Sequence, residues 1–89
     1  MVQIIENHAE IRGTLVSREE DPERPGFVRL LVKVEHAAPV AHWPNLFEPH
    51  VGESVVLHVR SEEAPQCGPA EAIHVRARMA GPNLAFVET

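Results

Sequence analysis

Residues 27–36, "FVRLLVKVEH", decide how this chain is read. Val28, Leu30, Val32 and Val34 form an unbroken apolar row at every second position, with Arg29, Lys33 and Glu35 on the opposite side. A period of two, carried by β-branched residues, predicts a half-buried β-strand. Leu31 is the apolar exception between these charged residues.

The same period recurs on both sides of this segment. In "AEIRGTLVS" (9–17), Ile11, Gly13 and Leu15 alternate with Arg12, Thr14 and Val16. A glycine inside such a run marks a bulge or a sharp bend where a strand curls. "ESVVLHVR" (53–60) sets Val55, Leu57 and Val59 against Val56, His58 and Arg60. "EAIHVRARM" (71–79) sets Ile73, Val75, Ala77 and Met79 against His74, Arg76 and Arg78. After the turn "AGPN" (80–83), "LAFVE" (84–88) supplies a short last strand.

The intervening stretches lack a period. "REEDPERPGF" (18–27) and "SEEAPQCGPA" (61–70) are polar and rich in proline, and predict loops. The connection 37–52, "AAPVAHWPNLFEPHVG", has three prolines and room for one short strand or helical turn around Trp43–Phe47. No segment shows a helical period.

Five strands within 89 residues, 44% of them apolar, predict an all-β fold: one small five-stranded β-barrel domain spanning 1–89. A barrel removes the exposed edges that an open five-stranded sheet would leave. An SH3-like barrel and a compact sandwich are the alternatives. The layout resembles the oligonucleotide/oligosaccharide-binding (OB) fold in its long, glycine-interrupted first strand ("IRGTLVS"), long first loop, glycine-initiated third strand ("GESVVLHV") and late hairpin. The resemblance is one of layout and involves no signature motif. It departs at "SEEAPQCGPA", which is too short and proline-rich for the helix usual between the third and fourth strands.

The lone Cys67 rules out an internal disulfide, and the N-terminal "MVQIIENHAE" has no basic, apolar-cored leader. No run approaches the roughly 18 apolar residues of a membrane span. The expectation is a cytoplasmic protein with no membrane contact.

The formal charge is −5, yet six of the eight basic residues (Arg12, Arg29, Lys33, Arg60, Arg76 and Arg78) fall on strands and point outward. The acids concentrate in loops: Glu19, Glu20, Asp21 and Glu23 in one, Glu62 and Glu63 in another, Glu48 and Glu53 near a third. If the strands bearing them pair, His58, Arg60, His74, Arg76 and Arg78 share one basic sheet face. That face suits an anionic partner, or it is simply the wet side of the sheet, where arginine stems cover apolar neighbours. Single-stranded nucleic acid is disfavoured. Phe27 and Phe86 sit at strand ends, and no aromatic interleaves with the basic row to stack on bases.

Chemistry finds little footing. His36, His42 and His50 match no compact metal-ligand spacing. His74 and Met79, five apart on one strand, face opposite sides and so cannot join Cys67 in a copper centre. No serine or cysteine sits in a nucleophile motif, and the acidic loop lacks calcium-ligand spacing. The chain therefore reads as non-enzymatic, without metal or cofactor. The expected role is a binding or accessory module for a protein partner or a second copy of itself. Its candidate contacts are Trp43, Leu46 and Phe47, followed by the basic face of Arg12, His58, Arg60, His74, Arg76 and Arg78. Polyanion binding through that face is the alternative.

Overall fold

The computed structural model describes residues 5–88. The ends of the expected domain, Met1–Ile4 and Thr89, lie outside the described residues. Five strands follow in order: β1 (Ala9–Glu20), β2 (Phe27–Pro39), β3 (Ser54–Arg60), β4 (Ala72–Gly81) and β5 (Leu84–Glu88). They close into a barrel of order β1-β2-β3-β5-β4, with β4 returning to β1. Every pairing is antiparallel except β3 with β5. The all-β barrel read from the sequence is what the chain forms.

The alternation written in the sequence becomes the inside of the barrel. Ile11 and Leu15 from β1, Val28, Leu30, Val32 and Val34 from β2, Leu57 and Val59 from β3, Ile73, Val75 and Ala77 from β4, and Ala85 from β5 make one buried cluster. Each side chain fully removed from water contributes roughly 1.5–3 kcal/mol against the entropy of ordering the chain.

Closure depends on β1, whose first half bonds to two strands at once. Ala9–Thr14 pair with β4 while the whole strand pairs with β2. The register shifts at Arg12/Gly13 and again at Leu15/Ser17, and these bulges let the strand curl. Gly13 is indispensable to the first. A Cβ there would lie 1.9 Å from the Lys33 carbonyl oxygen, a backbone atom that cannot step aside.

Both β1 and β2 run further than their apolar period. β1 continues through Arg18, Glu19 and Glu20, which pair with Leu30, Arg29 and Val28, so the first loop shortens to residues 21–26. These last β1 residues are exposed, so they carry no hydrophobic alternation from which a strand could be read.

One end of the barrel is plugged by the β2–β3 connection. Phe47 is fully buried in the core, ahead of a short 3-10 turn at Glu48–His50. Asn45 fixes the approach: its side-chain amide donates to the Ala37 carbonyl at 3.0 Å, and its Oδ1 accepts the Phe47 N–H at 3.1 Å. The β3–β4 connection begins with a 3-10 turn at Ser61–Glu63, and Ala64 and Cys67 pack against the core. No α-helix forms there. Among the described residues no helix is long and apolar enough to cross a membrane.

Two substitutions test this scheme by urea denaturation, with the single tryptophan, Trp43, as reporter. Phe47→Ala should lower stability by about 3–5 kcal/mol by emptying the plug. Gly13→Ala adds only a methyl group, yet should cost about 2–3 kcal/mol because the carbonyl it meets is backbone.

Candidate functional site

The strand order settles what becomes of the basic residues. β5 lies between β3 and β4, so Arg60 does not stand beside Arg76 and Arg78. The shared basic face expected from the sequence is not assembled. The outward row of β4 is instead met by carboxylates from its two neighbours. Glu10 of β1 holds His74 at 2.9 Å and Arg76 at 3.2 Å. Glu88 of β5 lies 4.0 Å from Arg78. Glu19 pairs with Arg29, and Asp21 lies 3.6 Å from Arg24. Reading the acids as loop residues missed Glu10 and Glu88, which sit on strands opposite the bases. Arg12 is exposed between His36 and His74, its partners in β2 and β4.

His58 is a second correction. It points outward from β3 but is buried, covered by the β1–β2 loop, and its Nδ1 lies 2.7 Å from Asp21 Oδ2. Asp21 is no solvated loop acid. Its other oxygen accepts the Glu23 N–H at 2.9 Å, a local turn that places the carboxylate over β3. Burial pushes the Asp21 carboxyl up. The Glu23 amide, the His58 hydrogen bond and the charges of His58 and Arg24 outweigh it, and the net pKa falls below the ordinary 3.8.

The aromatics differ from expectation too. Across the outer face, Phe86 of β5 sits between His58 of β3 and Arg78 of β4, so an aromatic does interleave with basic residues. Its ring is covered, however. Arg24 and Arg78 lie 5.6 and 5.2 Å from the Phe86 centroid, and Arg60 lies 5.8 Å from that of Phe27. Guanidinium groups occupy the faces on which a base would stack.

The Trp43–Phe47 segment divides. Phe47 is core and unavailable to a partner. Trp43 is half-buried, edge-on to His8 at 5.2 Å and tilted against His42 at 4.7 Å. His8 in turn is held by Glu6 at 3.0 Å and Glu88 at 2.7 Å. The hydrogen bond to Glu6, then that to Glu88, raise its pKa above 6.5 against the opposing effect of burial. Trp43, Arg76, His8 and Glu88 together line a shallow cleft. His36, His42 and His50 stay apart, and no three His, Cys, Asp or Glu side chains among the described residues converge in a way that could hold a metal ion.

Leu46 lies on the other side of the plug and borders an apolar recess on the surface. This groove, of about 520 Å³, runs between the start of β3 and the β4–β5 turn, lined by Leu46, Val55, Val56, Met79, Pro82 and Leu84, with His50 and Glu53 also lining it. The turn is tight: Gly81 pairs with Leu84, leaving Pro82 and Asn83 as its corner, and Asn83 has φ of +67°. Val56 is 42% exposed at the groove, and the half-buried Leu31 is its partner in β2. An outward Leu31 opposite an outward Val56 is visible in the sequence once the register is known. Each residue alone looks like an isolated exception.

Asn7 is another residue the sequence hid. Its side-chain amide donates to the Met79 carbonyl at 3.0 Å and accepts the Met79 N–H at 2.8 Å. It serves as one more rung on β4, just ahead of the first residue of β1.

No protein-family model, no curated protein and no solved structure matches this chain. The functional reading therefore rests on these surfaces alone.

Two pH measurements test the charge assignments. Because the folded pKa of Asp21 is depressed, its stabilisation is complete above the unfolded value and is lost as pH falls through the folded one. The stability difference between wild type and Asp21→Asn, followed from about pH 5 downward, should shrink below about 3.9. His8 has the opposite sign: its contribution is complete below 6.5 and disappears as pH rises through the raised value. Its imidazole resonances should titrate with a midpoint above 6.5 in wild type, and closer to 6.5 in Glu6→Gln/Glu88→Gln.

Proposed function

We propose that this chain is a non-enzymatic binding module, an OB-like barrel that contacts a protein partner through the groove beside β3. The strand order β1-β2-β3-β5-β4, the parallel β3–β5 pair and the bulged, doubly paired β1 support the OB-like assignment over an SH3-like barrel or a sandwich. The absence of the usual helix after β3 makes this a reduced version of that layout.

The observation that carries the function is the exposed Val56 at the mouth of an apolar groove. Apolar surface rimmed by polar groups marks contact sites for proteins. Leu46 remains a contact residue, joined by Val55, Val56 and Leu84, while Phe47 acts only by holding Leu46 in place. The basic residues are poorer candidates. Arg29, Arg76 and Arg78 each already face a carboxylate, and the net charge of −5 repels polyanions.

The non-enzymatic reading has a similar basis. The buried imidazole–carboxylate pair of His58 and Asp21 lies under the loop with Phe86 and Arg24 close by, and serves to pin that loop.

Selection of peptides from a random library on the immobilised protein tests the proposal. Selected peptides should lose at least tenfold in affinity against Val56→Asp, and should change little in affinity between roughly 50 and 200 mM salt. A single-stranded oligonucleotide should show no binding at the lower salt. Oligonucleotide binding that falls steeply with salt and is lost in Arg12→Ala/Arg60→Ala would replace this reading with polyanion binding.

A further inference from the structure

The groove also has a backbone side. β3 pairs with β2 along its whole length, from Lys33–Ser54 to Phe27–Arg60. Its pairing with β5 covers only Leu57–Ala85 and His58–Phe86. At the level of Ser54 and Val55 the chain is still rounding the turn from Gly81 to Leu84, and Val56 stands level with Leu84, the first residue of β5, without pairing to it. At this end of β3, Ser54, Val55 and Val56 are thus paired on the β2 side only. Their free side opens into the groove. Backbone N–H and C=O groups in that position demand partners and form a template for another strand.

The lining states what that strand should carry. Val55 is half-buried and Val56 exposed, on alternate sides of the strand, with Met79 and Leu84 across the groove. An added strand presents side chains with the same period of two, so alternate apolar residues would meet these walls. The ionisable groups facing the groove are His50 and Glu53. The Glu53 carboxylate is 63% exposed and touches His50 at 3.1 Å on one oxygen. It leaves room for a cation at the entry to β3.

We infer that the open Ser54–Val56 edge of β3 takes up an extended segment of a partner protein as an added strand, with alternating apolar side chains and a lysine or arginine opposite Glu53. This rests on the protein-contact reading of the same groove and adds the conformation and charge of what it binds. Strand addition obtains affinity from main-chain hydrogen bonds and selectivity from alternate side chains, which suits a groove of this size.

The test uses the full chain, isotopically labelled, and a pool of capped heptapeptides that alternate valine, isoleucine or phenylalanine with threonine, each with and without a terminal lysine. Amide shifts should concentrate on Ser54–Val56 and Leu84, with slowed hydrogen exchange at Ser54–Val56. N-methylation of alternate peptide amides on the bonded side should weaken binding at least tenfold. Glu53→Gln should weaken the lysine peptides about threefold and leave the others unchanged. Binding that Val56→Asp abolishes but N-methylation leaves intact would overturn strand addition while keeping the groove as a contact site. A dimer in sedimentation that Val56→Asp dissolves would overturn the choice of partner, a second copy then being the occupant. No shifts in the groove from any peptide would overturn the inference. The protein-contact reading itself fails separately, if library peptides bind Val56→Asp as well as wild type.

Discussion

The contact between Gly13 and the Lys33 carbonyl governs the rest of the molecule. β1 must reach β2 on one side and β4 on the other with the same few residues, which requires it to coil tightly around the core. That coiling brings its backbone against β2 more closely than any side chain allows. With hydrogen at that position, the strand can shift register, turn, and present Ile11 and Leu15 to the inside. The inner surface then closes on itself, and a chain with few aromatic residues can fill it with valine, leucine, isoleucine and alanine. Phe47 supplies the bulk at the end where the strands diverge.

Closure also decides the electrostatics. In a flat sheet, the bases of β3 and β4 could have formed one field. In the barrel, β5 intervenes, and each outward arginine of β4 lies within reach of an acid on an adjacent strand. Cross-strand pairs of this kind are worth only a few tenths of a kcal/mol each when exposed. Their larger effect is to remove a charged surface from the list of possible contacts. The buried pair of Asp21 and His58 plays a different part: it anchors the first loop over the seam between β3 and β5, a place with few backbone hydrogen bonds of its own.

Strand positions were legible because half-burial writes a period of two into the sequence. Val28 to Val34 and Ile73 to Ala77 needed nothing more. The ends of β1 were not, since Arg18–Glu20 are wet and show no alternation. Strand order was beyond reach for a related reason: alternation says which side of a strand is inside, never which strand is next to it. The sharing of a face by Arg60 and Arg76 depended on that missing fact, and so did the pairing of Leu31 with Val56. Within 37–52, the burial of Phe47 is supported by the Asn45 clamp, a pair of side-chain hydrogen bonds with no periodic signature. Asp21 was hidden by its company, since an acid among "EEDPE" gives no sign that it alone turns inward.

The two-rung parallel pairing of β3 with β5 has a mechanical meaning. If those rungs are parted, what is left is a continuous antiparallel sheet, β3-β2-β1-β4-β5, with β3 and β5 at its two free margins. The molecule is in this sense a rolled sheet fastened along one short line, and the line is the same one that borders the groove. A segment laid along Ser54–Val56 that also touches Met79 and Leu84 across the groove would join the two margins. Occupancy there would tighten the barrel as a whole, so that a contact made at one margin is felt as resistance to unrolling everywhere else.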